Sequence, residues 1–291
     1  MPFQVKYIAA ELKKKIKECT LINAKTELYG VIGNPIRHSL SPIIHNGVFQ
    51  RMGLDAVYLA FEVNDLKKAM SGIRELGLRG VSVTHPLKAR ILPYLDDVED
   101  LAGRIGAVNT IMNEGGRLIG YNTDGHGALE ALEEKSDLKE KKVLLLGAGG
   151  TARAIGFSLK EKGVQTVISN RSLDKADELA KNLGFICRPL SSIDDLSFDV
   201  VINATSLGMF PYEAESPIPK KFLKEGTVVM DIVYEPIKTK LLKEADERHC
   251  MTIDGLEMLA HQGAGQLEIW TGKRPDIRKI KEDLRRAVHE K

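Results

Sequence analysis

The most constraining stretch of this chain is a junction. Lys142-Val143-Leu144-Leu145-Leu146 is a short apolar run that stops at Gly147-Ala148-Gly149-Gly150 and continues through Thr151-Ala152 into a helical pattern. So continuous an apolar run fits a strand covered on both faces, as in a parallel sheet with crossover helices. Glycines after it let the backbone turn tightly, and the helix that follows presents unpaired N–H groups to an anion. Strand, glycine turn and helix in this order form a dinucleotide pyrophosphate site. Gly147 serves the turn, Gly149 serves the close approach of the phosphates, and Ala152 replaces a third glycine where a methyl still fits.

The next expected strand, 165–169, ends in Ser169-Asn170-Arg171-Ser172. NAD enzymes place an acid near this point for the ribose 2′-hydroxyl, whereas a guanidinium can grip a 2′-phosphate with two hydrogen bonds and stack on the adenine. NADP is therefore expected over NAD; the plain alternative is that Arg171 is a solvated residue after a strand.

At 291 residues the chain fits two domains, each with its own core. Strands are expected at 28–33, 57–62 and 80–83, with helices at 42–52 and 64–76 between them. Segments 108–112 and 117–119, joined by Asn113-Glu114-Gly115-Gly116, read as a hairpin. A helix over 123–135 leads to the second α/β unit, with helices at 151–162 and 173–183 and further strands at 199–202 and 227–232. Two helices, 256–270 and 276–289, close the chain with Pro275 as the break. A Lys-rich helix over about 9–19 is expected to be a solvated face packed on the first domain.

The chain carries 42 basic and 40 acidic residues, a formal charge of +2, with no block of one sign to serve as a nucleic-acid or membrane footprint. Its three cysteines, Cys19, Cys187 and Cys250, lack paired spacing, which points to a reducing, cytoplasmic setting without disulfides or thiolate metal sites. No signal peptide or membrane span is expected. A small diffusible substrate fits best, and a homodimer is an option left open.

Four loops put hydroxyls, amides and charges where strands end: Gly33-Asn34-Pro35-Ile36-Arg37-His38-Ser39-Leu40-Ser41-Pro42, Val83-Thr84-His85-Pro86-Leu87-Lys88, Gly106-Ala107-Val108-Asn109-Thr110 and Gly120-Tyr121-Asn122-Thr123-Asp124-Gly125. Such positions bind ligands in α/β proteins. Together with Asn203-Ala204-Thr205-Ser206-Leu207-Gly208-Met209, Asp231-Ile232-Val233-Tyr234 and Asp254-Gly255-Leu256-Glu257-Met258-Leu259-Ala260-His261-Gln262, they make the chain resemble the shikimate dehydrogenase family from about residue 28 to 272.

That resemblance implies an α/β protein of two domains. An N-terminal α/β catalytic domain would span 1–124 and 256–291, with the C-terminal helices returning to it, and a Rossmann-type NADP domain would span 125–255. It implies reversible NADPH-dependent reduction of 3-dehydroshikimate to shikimate, in aromatic amino-acid biosynthesis, with Lys88 and Asp124 as the catalytic pair. Ser39 and Ser41, assisted by Tyr234, would bind the substrate carboxylate, and Thr84, Asn109 and Gln262 the ring hydroxyls and ketone region. Gly147, Gly149, Gly150, Thr151 and Ala152 would form the pyrophosphate turn. Asn170, Arg171 and Lys175 would meet the 2′-phosphate, and Thr205, Ser206, Met209, Ile232 and Gly255 would surround the nicotinamide.

The chemistry suits these roles, because a small polyhydroxylated acid is recognised by directional hydrogen bonds and an ammonium can neutralise the oxyanion formed by hydride addition. Taken alone, Lys88 could be a surface lysine and Asp124 a helix cap. Relatives often have Asn at Ser82, an aliphatic residue at His85 and arginine at Lys175. A lysine keeps the charge but not the fork, which softens the NADP preference. His38, His45 and His85 are expected to serve scaffolding or solvent roles, and no metal site is expected. The alternatives are a quinate/shikimate dehydrogenase with relaxed NAD(P) use, and a non-catalytic NADP-binding sensor.

Overall fold

In the computed structural model, residues 22–193 and 196–289 are described, so the helix expected over about 9–19 lies outside the described residues. The first sheet is built from β1 (Glu27–Gly33), β2 (Ala56–Glu62), β3 (Gly80–Val83), β4 (Asp97–Val98), β5 (Thr110–Glu114) and β6 (Arg117–Tyr121), in the order β2-β1-β3-β5-β6-β4. Because α1 (Ser41–Met52) and α2 (Leu66–Glu75) carry the chain back across the sheet, β1 pairs in parallel with both β2 and β3. β5 then runs antiparallel to β3, and β6 to β5.

Two local differences from expectation have physical causes. α2 starts after Asp65, whose carboxylate accepts from Lys68 N at 3.1 Å, while Asn64 is held outside the helix by the Asn34 amide at 3.0 Å. In the hairpin, the ladder continues to Glu114 opposite Arg117, so the turn is Gly115-Gly116 alone. Their φ values of 63° and 100° reverse the chain in two residues, and Asn113 Oδ1 braces the turn by accepting from Gly116 N at 2.7 Å.

The second sheet is parallel throughout. It comprises β7 (Lys142–Leu146), β8 (Gln165–Ser169), β9 (Ile186–Cys187), β10 (Val200–Asn203), β11 (Val228–Asp231) and β12 (Met251–Ile253), in the order β12-β11-β10-β7-β8-β9. Chain order therefore reverses between β7 and β10, and the carboxyl ends of these two strands border the crevice in which doubly wound sheets bind ligands. α5 (Gly150–Glu161) and α6 (Leu173–Leu183) link β7, β8 and β9, and α7 (Lys240–Asp246) precedes β12. α7, α3 (Asp100–Ile105) and the two- or three-residue edge strands β4, β9 and β12 are too short to impose a readable period.

The C-terminal helices α8 (Gly255–Thr271) and α9 (Ile277–His289) return to the first sheet, as expected. Leu256, Ala260 and Leu267 of α8 and Ile280 and Leu284 of α9 share one core with Tyr29, Ile44, Phe49 and Tyr58. Between the two sheets runs α4 (Asp124–Glu133). A Cβ at Gly125 would lie 2.3 Å from Ala154 O on α5, and one at Gly127 would lie 2.6 Å from Gln262 N on α8, so α4 touches both helices only because glycine stands at both positions. Ala128, Leu129, Ala131 and Leu132 of α4 belong to a single buried cluster that also takes in Ile105, Ala107, Leu145, Ile155 and Met258.

Candidate active site

Lys88 follows β3, and Asp124 opens α4, where the helix dipole favours negative charge. Lys88 Nζ donates to Asp124 Oδ2 at 2.5 Å and lies 3.4 Å from Thr151 Oγ1, in the first turn of α5. The aspartate side chain is only 5% exposed and the lysine 20%. A pair so far out of water holds only if its remaining hydrogen-bonding capacity is met. Asp124 Oδ1 accordingly accepts from Asn109 Nδ2 at 2.8 Å.

Asn109 is the junction of the site. Its Nδ2 also donates to Thr123 Oγ1 at 2.9 Å and reaches Gln262 Oε1 at 3.4 Å, while its Oδ1 accepts from Thr123 N at 2.9 Å and from the Thr110 hydroxyl at 2.7 Å. Lys88, Asn109, Asp124 and Gln262 thus form one connected set. Thr84 stands half-buried at the end of β3, its methyl packed where Gly33 lacks a side chain.

Ser39 and Ser41 lie together at the entry to α1, where Ser41 is buried and its N donates to Ser39 Oγ at 3.3 Å. Tyr234 and Leu40 line a cavity of about 420 Å³ beside that turn, and burial pushes the Tyr234 phenol up to about 12. No hydrogen bond among the described residues joins the serine turn directly to Lys88.

On the second sheet, Gly147 has φ 120° and donates to Ser169 O at 2.8 Å; a Cβ there would meet Ala204 O at 2.9 Å. Gly149 faces open space, no side chain caps α5, and Ala152 is fully buried against the sheet. The first-turn N–H groups of α5 are therefore free to meet a phosphate. Beside them, Arg153 Nε is buried with no hydrogen-bond partner, in a crevice of about 270 Å³ also lined by Ala148, Gly150 and Lys175. Arg171 and Lys175 are exposed, and Asn170 Nδ2 donates to Ser172 O at 3.0 Å. An uncapped helix end, an orphaned guanidinium nitrogen and exposed cations fit a phosphorylated dinucleotide.

Thr205 is anchored by its hydroxyl to Asn203 Oδ1 at 2.7 Å, Ser206 is exposed, and Met209 sits 36% exposed on the same loop. Half-buried Ile232 brings its carbonyl so close to Gly255 that a Cβ there would lie 2.5 Å away. His38 and His85 are exposed, and His45 is fully buried. Among the described residues no His, Cys, Asp and Glu cluster could hold a metal ion, and no helix is long and apolar enough to cross a membrane.

Comparison with known proteins fits this geometry. Residues 31–111 match the shikimate dehydrogenase substrate binding domain, 129–259 match shikimate / quinate 5-dehydrogenase, and 255–285 match the shikimate 5′-dehydrogenase C-terminal domain. A shikimate dehydrogenase (NADP(+)) of Pyrococcus furiosus is 44% identical over 263 residues, 88% of this chain and 94% of that protein. The chain belongs to the shikimate dehydrogenase family.

Solved members of the shikimate dehydrogenase family share the whole architecture. One, in complex with NADP+, superposes with a TM-score of 0.87 at 42% identity, covering 92% of this chain and 98% of that one. Another, from Thermus thermophilus and in complex with NADP(H) and shikimate, gives 0.84 at 38% identity, covering 90% and 99%.

Two residues that shape the site in this family member, Asp231 and Gln266, were given no role by the sequence analysis, although Asp231 stands in one of its motifs. Asp231, fully buried at the end of β11, accepts from Asn203 Nδ2 at 2.9 Å, Thr239 Oγ1 at 2.7 Å and Val233 N at 3.0 Å, and so ties down the loop bearing Thr205 and Met209. Burial raises its carboxyl to about 6 against the pull of those donors. An acid closing an otherwise apolar strand was the available signal. Gln266, buried four residues after Gln262 on α8, could have been found from helical spacing.

Proposed function

We propose that this chain catalyses the reversible reduction of 3-dehydroshikimate to shikimate with NADPH, a cytoplasmic step of aromatic amino-acid biosynthesis. The substrate would lie on the lobe formed by 1–124 and 256–291, and the dinucleotide on the lobe formed by 125–255. The observation that carries this reading is the Lys88–Asp124 pair, with Lys88 Nζ within 3.4 Å of Thr151 at the helix end that follows the glycine turn.

When bound, the nicotinamide supplies or accepts a hydride. Lys88 donates a hydrogen bond to the ketone oxygen, stabilises the charge that develops there and hands over a proton as the alcohol forms; in reverse it takes the proton back. Asp124 orients the ammonium and accepts from a neighbouring substrate hydroxyl. Thr84, Asn109 and Gln262 pair the ring hydroxyls, and Ser39 and Ser41, with Tyr234, hold the carboxylate. Arg171 and Lys175 take the 2′-phosphate, and the α5 N–H groups from Gly149 to Ala152 take the pyrophosphate.

The test is loss of NADPH absorbance on adding 3-dehydroshikimate, with Lys88→Ala assayed beside the wild type. The variant should lose turnover by roughly three orders of magnitude while KM changes little, as when an interaction made only in the transition state is removed. Tight binding of both ligands without turnover by the wild type would convert the protein into a sensor; near-normal turnover by the variant would remove Lys88 from the chemistry. A second reading, a quinate/shikimate dehydrogenase with relaxed NAD(P) use, is favoured on the cofactor side alone by Lys175, which lacks the guanidinium fork. Specificity constants for two acids with two cofactors distinguish the two.

A further inference from the structure

We infer that Gln266 and Thr110 are positioning residues that hold the Asn109 amide in the one orientation that donates to Asp124. The inference rests on the reading of Lys88 and Asp124 as the reacting pair.

It comes from the direction of a buried hydrogen-bond chain. At its far end Tyr58 donates to Ser82 Oγ at 2.6 Å, and Ser82 donates to Gln266 Oε1 at 2.8 Å. His45 Nε2 lies 3.2 Å from the same Oε1, while its Nδ1 is buried without a partner. The ring stacks on Tyr58 with centroids 4.2 Å apart, and burial holds it well below the ordinary histidine range, to about 3. It is therefore neutral, with its proton on Nε2, the nitrogen that has an acceptor to meet.

Asn109 O can only accept, so it fixes which way the Gln266 amide faces and leaves Oε1 to Ser82 and His45. Gln266 Nε2 then donates to Asn109 O at 3.1 Å and to Thr110 Oγ1 at 3.2 Å. Thr110, already accepting from Gln266, sends its hydroxyl proton to Asn109 Oδ1 at 2.7 Å. With Thr123 N donating to the same oxygen at 2.9 Å, the Asn109 carbonyl is fully engaged and Nδ2 is turned to Asp124 Oδ1 at 2.8 Å. Every O–H and N–H along the path points towards the carboxylate, so an amide reversed at Gln266 would set donor against donor at one end and acceptor against acceptor at the other. Reversal at Asn109 would set its carbonyl against Asp124.

Thr110→Val removes the link that passes the orientation on, while Gln266 keeps Asn109 O as a partner. The expected result is a loss in kcat of about 10- to 100-fold, the scale on which misplaced reacting groups slow an enzyme, with the KM for NADP unchanged. Thr110→Ser, which keeps the hydroxyl, should restore turnover. Wild-type kcat in Thr110→Val, or equal losses in the serine and valine variants, would overturn the inference, as would a kcat that tracks the thermal midpoint alone across the two variants. Turnover of 3-dehydroshikimate by the wild type in the same series tests the underlying reading separately, since an active wild type matched by Thr110→Val sinks only the positioning role.

Discussion

Gly127→Ala should damage catalysis through helix packing alone. The added methyl would stand 2.6 Å from Gln262 N, 2.9 Å from its Cα and 2.9 Å from its Cβ, so it meets backbone that cannot rotate away. Bringing the shortest contact to 3.4 Å, where ordinary contact begins, parts α4 from α8 by about 0.8 Å. The same movement stretches the hydrogen bond from Thr123 Oγ1 to Gln262 O, now 3.0 Å, beyond bonding range, and carries Gln262 away from Asn109. Overpacking of this kind costs about 1–3 kcal/mol, and the better helix propensity of alanine offsets about 1 of that, which leaves a net loss of up to about 2 kcal/mol. At roughly 2–4 °C per kcal/mol, the thermal midpoint should fall by several degrees. With Gln262 in its proposed role the larger effect is on rate, because displacing a group that pairs the substrate by nearly 1 Å costs up to about 10²-fold. The assay is kcat/KM for shikimate at saturating NADP, with Gly72→Ala as the control. Gly72 sits inside α2 with no atom within 4 Å of the new methyl, so alanine there should leave kinetics intact and add about 0.5–1 kcal/mol of stability. A Gly127→Ala enzyme with wild-type kcat/KM would refute the claim that α4 sets the position of Gln262.

Arg171→Asp should raise the KM for NADP far more than that for NAD, since an acid repels the 2′-phosphate and suits a free hydroxyl; equal losses with both cofactors would show that the residue does not read the phosphate. Asp231 gives a pH prediction. Its carboxyl is raised from 3.8 to about 6 in the folded protein, so the native state binds the extra proton between those values and stability falls as pH rises through 6. The shift corresponds to about 3 kcal/mol. Asp231→Asn, which stays neutral, should therefore gain on the wild type between pH 4 and 7 in denaturant melts, and parallel pH curves would rule this out.

The parallel strands beside the glycine turn were legible because short runs centred on Val143 to Leu146 and on Thr166 to Ile168 stand between sharp breaks: 142–146 and 165–169 match β7 and β8 residue for residue. α3 and α7 were not, since six or seven residues barely complete two turns of any period. Lys88, Asp124 and Asn109 could be named from motifs on three separate loops, yet spacing alone could not bring Asn109 within 2.8 Å of Asp124. Still less visible was the support behind them. His45, Ser82 and Gln266 lie as much as 221 positions apart, and each taken singly is an ordinary polar residue. Their meaning comes from the direction in which protons point, which only the assembled core fixes.

The apolar cluster that threads α4 into both lobes makes that helix a keystone rather than a tether. Ile105 and Ala107 on one side, Leu145 and Ile155 on the other and Met258 from the returning helix share one buried cluster with Ala128, Leu129, Ala131 and Leu132. A polypeptide severed on either side of it would expose a greasy scar on both fragments. Heating the intact chain should give a single endotherm, because neither half can let go of α4 without undoing the other.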